Sequence, residues 1–248
     1  MGTSCHDYKY LVARWRLVAR VAGLRLRKIG EADGFPLFAM GSPAEAVSGG
    51  IYLSAGIHGD EPAATEGLLK WAECNAGRLR QIPVMIFPCL NPWGLTQNRR
   101  TNAAGVDVNR VFHDRENCTV AAVRAAVGER KFCGALMLHE DFDAEGVYLY
   151  ELKNREPWGE RVIRAAERFI PRDGRARIEK RRARGGIISP RFQARIFEKM
   201  GIPEAIWHYL RGCRRSMTFE TPSELALEHR VAAQVAAVER FVELSAAC

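Results

Sequence analysis

The chain has 248 residues, of which 47% are hydrophobic and 27% are charged, and its formal net charge is +8. This length and composition are typical of one ordinary globular domain, and they exclude a disordered tail, a collagen-like repeat and a disulfide-knotted secreted domain. The basic balance leaves nucleic acid, a membrane surface or an anionic substrate open as partners, and much of the charge lies in one run, Arg172–Arg184.

The cysteines and the N-terminal residues bear on the compartment. The seven cysteines are odd in number and form no C-x-x-C pair, so neither a disulfide framework nor a zinc ribbon is indicated. No run of about 18 apolar residues exists, and we therefore expect no membrane-spanning helix. Arginines interrupt the apolar run from Leu11 before a signal peptide could form. We expect a reduced, cytoplasmic protein.

The first predicted element is an amphipathic helix at about 8–22. Its apolar side chains recur at helical spacing with arginines between them, and they are Leu11, Val12, Trp15, Val18 and Ala19. We expect this stripe to dock on the core, and a helix lying on a membrane surface is the alternative.

Strand-like and helix-like segments then alternate. Strands are predicted at 35–40, 51–57, 83–90, 135–139, 147–151 and 216–220, and helices at 62–74, 121–127, 157–169 and 223–244. The alternation predicts a single α/β domain over residues 1–248 with a mainly parallel or mixed sheet. Ligands of such sheets bind outside the carboxyl ends of the strands, so polar residues at those ends are candidates for a site.

Three polar clusters follow predicted strands. His58 and Glu61 lie three apart in SAGIHGDEP at 54–62, His139 ends a strand in LMLHED, and Glu220 ends the last one in MTFE. Each has an ordinary structural explanation, namely a capped turn, a hydrogen-bonded histidine and a solvated carboxylate. Together, two histidines and one carboxylate are the ligand set of a catalytic zinc with an open position for water. Glu220 would then be free to act as a base.

A long polar loop at 91–112, reading NPWGLTQNRRTNAAGVDVNRVF, follows another predicted strand. It carries Arg99, Arg100, Asn109 and Arg110, and an arginine fork grips a carboxylate through two parallel hydrogen bonds. A solvated connection is the alternative, but long loops in compact domains tend to be functional.

The order of these motifs resembles the zinc carboxypeptidase family, with the carboxypeptidase A-like fold. H-x-x-E at 58–61, N-P-x-G at 91–94, R-x-N-x-x-G-V-D-x-N-R at 100–110, His139 and Glu220 appear in sequence over roughly residues 50–221. The resemblance implies a three-layer α/β/α fold with a twisted mixed, mostly parallel sheet.

The resemblance also implies the roles of the catalytic residues. His58, Glu61 and His139 would hold one Zn²⁺ per chain, and Glu220 would act as general base and then as general acid. Arg100 would polarise the scissile carbonyl and stabilise the oxyanion.

Two further residues would bind substrate in the same resemblance. Asn109 and Arg110 would clamp the free carboxylate of a peptide substrate. These roles predict a zinc-dependent metallocarboxypeptidase that hydrolyses the C-terminal amide bond of peptides.

The match departs from the peptidases after the N-R pair. Val111–Phe112 resembles the deacylase branch, aspartoacylase and succinylglutamate desuccinylase, whereas the seven-residue spacing from Arg100 to Asp107 resembles the peptidases. The alternative is therefore a zinc deacylase of N-acyl amino acids. A third reading is a non-enzymatic polyanion binder, but no nucleic-acid motif is present and no specific nucleic-acid partner is expected.

The sequence does not decide the roles of several residues between His139 and Glu220. Glu145 and Glu151 would favour a basic substrate side chain, whereas an acidic one would be favoured by Arg175, Arg184, Arg191 and Arg195. The Arg172–Arg184 run is a solvated loop or an electropositive rim.

Candidates for a tyrosine that closes over substrate are Tyr148, Tyr150 and Tyr209. The acidic pair Glu140 and Asp141 orients a ligand or faces solvent.

Overall fold

The computed structural model describes residues 5–44 and 50–246, so the predicted domain span of 1–248 reaches beyond the described residues at both ends. Within them the helices are α1 Tyr8–Ala22, α2 Pro62–Asn75, α3 Pro92–Gln97, α4 Cys118–Val127, α5 Gly159–Ala166, α6 Ala194–Met200, α7 Glu204–Leu210 and α8 Leu227–Ser245. The strands are β1 Arg27–Ala32, β2 Phe35–Gly41, β3 Ile51–Ser54, β4 Val84–Phe87, β5 Gly134–Asp141, β6 Tyr148–Glu151, β7 Arg177–Ile178, β8 Arg181–Arg182, β9 Ile187–Ile188 and β10 Arg215–Pro222.

Eight of the strands in residues 5–44 and 50–246 form one large mixed sheet in the order β1-β2-β4-β3-β5-β10-β6-β9, and β7 and β8 pair antiparallel as a separate two-stranded sheet. The centre is parallel, because β3 pairs in parallel with β4 and β5, and β5 with β10. Antiparallel pairs lie toward the edges, at β1–β2, β2–β4 and β10–β6. The predicted mixed, mostly parallel sheet is confirmed.

Helices cover both faces of this sheet, as the side-chain alternation of its strands requires. On β3, Ile51 and Leu53 belong to one hydrophobic cluster together with α1, α2, α5 and α8. Tyr52, between them, belongs to a second cluster with α4 and α7. The protein is therefore a three-layer α/β/α structure, which confirms the predicted fold class.

Helix α1 docks on the core with its apolar stripe. Asp7 caps it by accepting a hydrogen bond from the backbone N–H of Tyr10 at 3.0 Å, and Gly23 ends it in the left-handed conformation. Trp15 is fully buried, and Leu11 and Val18 are buried beside it. In the part of the chain that the structure describes, no helix is long and apolar enough to cross a membrane.

Two elements that the sequence pattern did not predict lack a clear apolar repeat. Strand β1 reads RKIGEA and lies exposed at the sheet edge, and α6 has no buried residue. Five predicted elements are shorter in the structure, and three of them are the strands at 83–90 and 147–151, which span Val84–Phe87 and Tyr148–Glu151, and the helix at 157–169, which spans Gly159–Ala166. The strand at 51–57 ends at Ser54, and the helix at 223–244 begins only at Leu227.

The carboxyl ends of the central strands place the polar clusters side by side. Glu220 on β10 pairs in register with His139 on β5, and Ser54 at the end of β3 pairs with Met137 two residues earlier on β5. Residues 55–61 then leave β3 at the same edge of the sheet.

Candidate metal centre and active-site cavity

Two glycine-containing turns pack together to form one wall of the site. The turn after β3 carries Gly59 beside His58, and a Cβ atom at Gly59 would lie 1.9 Å from the carbonyl carbon of Gly94. The backbone N–H of Gly59 donates to Arg99 at 3.0 Å. Asn91 caps α3 by accepting from the N–H of Gly94 at 2.9 Å. The N-P-x-G motif thus supports the turn that carries H-x-x-E.

The structure brings His58, Glu61 and His139 together as one buried cluster. Nδ1 of His58 lies 2.6 Å from Oε1 of Glu61, and Nδ1 of His139 lies 2.8 Å from Oε2 of the same carboxylate. The two Nδ1 atoms are 3.2 Å apart. Neighbouring nitrogen lone pairs and a carboxylate at these distances need a cation between them, either a proton or a metal ion. Two imidazoles and one carboxylate are the donors that zinc prefers, so these residues fit a metal.

Asp107 orients one of these histidines from the other side. Its Oδ1 lies 3.2 Å from Nε2 of His58, so a proton on Nε2 leaves the Nδ1 lone pair free for a metal. Burial disfavours the charged form of His58, but Glu61 and Asp107 outweigh it and raise the His58 pKa to about 9. Burial likewise opposes ionisation of Glu61, and the two imidazoles lower its pKa below the usual value.

Glu220 lies in the same cavity with a carboxylate that is not engaged in structure. It is 8% exposed, and the described residues give its carboxylate no hydrogen bond. Burial raises the pKa of Glu220 to about 8 against the opposing charge of His139, and the negative charge of Glu61 contributes to the same rise. A divalent cation beside it would lower this value, because an opposite charge favours the ionised form.

Arg100 connects the cluster to the cavity opening. Its Nη1 lies 3.5 Å from Oε1 of Glu61, and its Nη2 lies 3.3 Å from Oδ2 of Asp107. The side chain is 44% exposed, so the guanidinium is held at one end and accessible to a ligand. Burial opposes the charged form, yet the carboxylates of Asp107 and Glu61 raise the Arg100 pKa.

Asn109 and Arg110 also line the cavity. The buried Asn109 accepts a hydrogen bond from the backbone N–H of Glu204 at 3.0 Å, and Nη1 of Arg110 donates to the Asn109 carbonyl at 3.0 Å. The first contact fixes the loop 91–112 against the start of α7. The long loop predicted to be functional therefore contributes three side chains to the cavity wall.

The cavity has a volume of about 280 Å³ and extends from the metal cluster to α6 and α7. Its apolar lining residues are Leu152, Pro190, Phe197, Met200, Pro203, Ala205 and Ile206, and it is also lined by Ser216 and Thr218 of β10 and by the charged Glu151, Glu179 and Arg181. The size is sufficient for one amino-acid side chain with its backbone.

The comparisons with known proteins agree on the fold. Residues 49–133 match the family model of the succinylglutamate desuccinylase/aspartoacylase catalytic domain. A candidate metallopeptidase from Shewanella amazonensis superposes with a TM-score of 0.83 at 21% identity, over 97% of this chain and 94% of that one. A metallo-carboxypeptidase from Burkholderia cenocepacia gives 0.71 at 19% identity, over 95% and 68%. The chain has the metallocarboxypeptidase fold.

A curated relative adds sequence similarity. Carboxypeptidase SOL1 of Arabidopsis thaliana is 34% identical over 106 residues, which are 37% of this chain. The match covers 22% of the length of that relative. The predicted resemblance to the zinc carboxypeptidases and their desuccinylase/aspartoacylase branch is confirmed.

Two of the three candidate tyrosines line the cavity of this carboxypeptidase fold. Tyr148 donates its hydroxyl to Asp141 at 2.9 Å, and Tyr150 donates to Glu179. Tyr209 stacks on Phe192 with ring centroids 5.4 Å apart and does not line the cavity. Asp141 therefore orients Tyr148.

The charges considered for substrate selection are used elsewhere. Glu151 accepts from the backbone N–H groups of Trp158 and Gly159 at 2.8 and 3.0 Å, at the start of α5. Glu145 lies 3.7 Å from Arg175, and Arg175 pairs with Asp173 at 2.5 Å.

The other three arginines considered for an acidic substrate are Arg184, Arg191 and Arg195, which are exposed and do not line the cavity. At the start of the basic run, Arg172 pairs with Glu167 at 2.5 Å and with Glu160 at 3.1 Å. Glu179 and Arg181, also in this run, do line the cavity.

Sequence reasoning missed a buried carboxylate behind the metal cluster. Glu204, at the start of α7, is 1% exposed and accepts a hydrogen bond from the hydroxyl of Tyr52 at 2.5 Å. Burial raises its pKa, and the hydrogen bond from Tyr52 opposes that rise. No local pattern marks this residue, because its partners lie on β3 and on the 91–112 loop. Asp107 lies within the R-x-N-x-x-G-V-D-x-N-R motif at 100–110, and its place in that motif was the signal available.

Proposed function

We propose that the protein is a zinc-dependent metallocarboxypeptidase that hydrolyses the C-terminal amide bond of peptides. The observation that carries the proposal is the convergence of His58, Glu61 and His139 beside the unengaged carboxylate of Glu220. Arg100 and the substrate-clamp residues line the same cavity, so the groups needed for amide hydrolysis meet at one place.

The three clustered side chains are the proposed metal ligands. A zinc ion bound there would supply Lewis acidity, which makes water more acidic and polarises a carbonyl oxygen. Asp107 keeps the His58 ring in the tautomer that presents Nδ1.

Glu220 is the proposed proton carrier. Its carboxylate would accept a proton from the attacking water and then donate it to the amide nitrogen as the C–N bond breaks. Burial opposes ionisation of this carboxylate and a bound cation would favour it, so the two together would let Glu220 first accept and then donate a proton near neutral pH.

Arg100 and Arg110 have different proposed tasks. Attack on the amide carbon places negative charge on its oxygen, and the exposed end of Arg100 would stabilise that charge. Arg110, with Asn109, would hold the substrate's free carboxylate and so orient the scissile bond.

The apolar cavity wall points to an uncharged last residue. Leu152, Phe197 and Ile206 line the space beyond the metal cluster. A lysine side chain placed there would lose its hydration without a free counter-charge, since Glu151 is committed to α5 and Glu179 accepts from Tyr150. Arg181 also lines the cavity, so cleavage of a peptide ending in Glu would show that Arg181 pairs with an acidic side chain. We propose C-terminal leucine or phenylalanine as preferred residues.

A second candidate function is the deacylation of N-acyl amino acids. It is favoured by the family match at residues 49–133 and by Val111–Phe112. Both substrate classes combine an amide with a free carboxylate, so the same residues would serve either one.

The test combines metal content with a substrate panel. Purified protein is analysed for zinc and then supplied with N-blocked dipeptides ending in Phe, Leu, Lys or Glu, and with N-acetyl and N-succinyl amino acids. Glu220→Gln is compared with Glu224→Gln, the same substitution at an exposed residue just beyond β10. We expect one zinc per chain, cleavage of the Phe and Leu peptides, and a turnover loss of about 10²–10⁴ in Glu220→Gln alone.

The other outcomes reject specific parts. Cleavage of acyl amino acids without peptide cleavage moves the protein to the deacylase branch. Zinc binding without any hydrolysis, together with salt-sensitive polyanion binding that survives Glu220→Gln, supports the non-enzymatic reading. Failure to bind zinc after its addition refutes the metal centre. The cytoplasmic location is a separate proposal and rests on the reduced state expected of the seven cysteines.

A further inference from the structure

Glu140 is a buried carboxylate that the proposed chemistry does not use. It directly follows His139 and is 4% exposed. Its Oε2 accepts a hydrogen bond from the backbone N–H of Ala63 at 2.7 Å, and its Oε1 accepts one from Nη1 of Arg230 at 2.5 Å. Ala63 lies in the first turn of α2, two residues after Glu61. Glu140 therefore ties the strand that carries His139 to the helix start that carries Glu61.

Helix α8 holds the same strand end at a second point. Gln234, one turn after Arg230, is fully buried and donates from Nε2 to the carbonyl of His139 at 2.7 Å. The same Nε2 also donates to Oγ1 of Thr221 at 3.1 Å, next to Glu220. Two side chains of α8 thus hold the ends of both strands. Arg230 contacts Glu140, which follows His139 on β5, and Gln234 contacts both the His139 carbonyl and Thr221, which follows Glu220 on β10.

The packing of α2 on α8 makes this arrangement rigid. A Cβ atom at Gly67 of α2 would lie 2.4 Å from Cβ of Gln234, so the two helices approach as closely as a glycine permits. Interiors packed this tightly have few alternative positions for a side chain. The side chains of Arg230 and Gln234 are consequently held at a fixed position beside the end of β5.

A buried ion pair often stabilises a fold no more than apolar residues of the same volume would, because removing two charges from water costs free energy. Carboxylates behind metal ligands are different, since they orient the ligands and their loss typically lowers metal affinity about 10–100-fold. We propose that Glu140, held by Arg230 and assisted by Gln234, is a positioning residue that sets the separation of Glu61 and His139 and thereby the zinc affinity. This inference rests on the proposed metal centre and names residues outside its ligand set.

The test measures zinc affinity by chelator competition on the metal-free protein. Glu140→Met/Arg230→Met removes both charges and the acceptor for Ala63, whereas Glu140→Gln/Arg230→Met removes the charges but keeps an acceptor. We expect about 10–100-fold weaker zinc binding in the first variant and a change within about threefold in the second. Arg240→Met on α8, whose partner is the exposed Glu243, is the matched control and should bind as the wild type does.

Two readouts separate positioning from mere loss of folding. Thermal unfolding of each metal-free variant shows whether it is folded, and the absorption spectrum of the cobalt-substituted protein reports the ligand geometry. Gln234→Leu is an independent arm, and we expect about tenfold weaker zinc binding together with an altered cobalt spectrum. Wild-type affinity and spectrum in folded Glu140→Met/Arg230→Met, or in Gln234→Leu if the double variant does not fold, would overturn the inference. A wild-type protein that binds no zinc refutes instead the metal centre itself.

Discussion

His208 predicts a loss of stability in mild acid. It lies on α7 with 1% exposure, its ring centroid is 4.1 Å from that of Tyr52, and its Nε2 is buried without a hydrogen-bond partner. Burial, with a contribution from the positive charge of Arg211, lowers the His208 pKa to about 3. The folded protein therefore keeps this imidazole neutral at pH values where the unfolded chain is protonated.

The direction and size of the stability change follow from the difference between the His208 pKa in the folded and unfolded states. With an unfolded-state pKa of about 6.5, the full stability is present above pH 6.5 and is lost progressively as the pH falls toward 3. At pH 5, which is about 1.5 units below the unfolded-state pKa, protonation of this imidazole in the unfolded chain lowers the free energy of unfolding by about 2 kcal/mol. His208→Phe keeps a ring against Tyr52 and cannot titrate.

The assay is urea unfolding of the metal-free wild type and of His208→Phe, each at pH 7 and pH 5 with EDTA. Other titrating groups, including His58, contribute equally to both proteins and cancel in the comparison. We expect the wild type to lose about 2 kcal/mol more than the variant between the two pH values. Equal losses, within about 0.5 kcal/mol, would show that His208 is not the buried neutral group described above.

Three further predictions concern the site. Asp107→Ala should weaken zinc binding by about 10–100-fold in chelator competition, because His58 loses the partner of its Nε2, and unchanged affinity would contradict that role. Arg100→Met should lower kcat by about 10²–10³ on the best substrate while zinc content stays at the wild-type level, and a change in KM alone would argue against oxyanion stabilisation. Gly59→Ala should lower the free energy of unfolding by at least about 1–3 kcal/mol, because its Cβ would overlap the Gly94 carbonyl carbon. Gly77→Ala, where nothing lies within 4 Å, is its control in thermal unfolding, and equal effects of the two would contradict the packing argument.

The central sheet could be predicted because its strands are short apolar runs that end in polar turns. Residues 51–54 and 134–141 show this pattern, and their parallel pairing places the residues that follow at one edge. Strand β1 could not be predicted in the same way, because an edge strand with charged residues has no periodic apolar face.

The candidate ligands could be predicted for a similar reason, since each lies at or just after a strand end. The supporting contacts could not. Glu140 bonds to Arg230, 90 positions away, and Tyr52 bonds to Glu204, 152 positions away. Such pairs depend on how α7 and α8 pack against the sheet, and no local spacing in the chain records that packing.

The contact between Gly59 and Gly94 has a consequence for protein engineering. The H-G-D-E segment keeps its shape because the N-P-W-G turn leaves room for hydrogen only, and the Gly59 N–H bonds to Arg99 beyond that turn. Transplanting the four residues of H-G-D-E into another α/β scaffold would move the ligands without the surface that shapes them. The portable unit is the pair of turns, so a graft should carry residues 55–61 and 91–99 together.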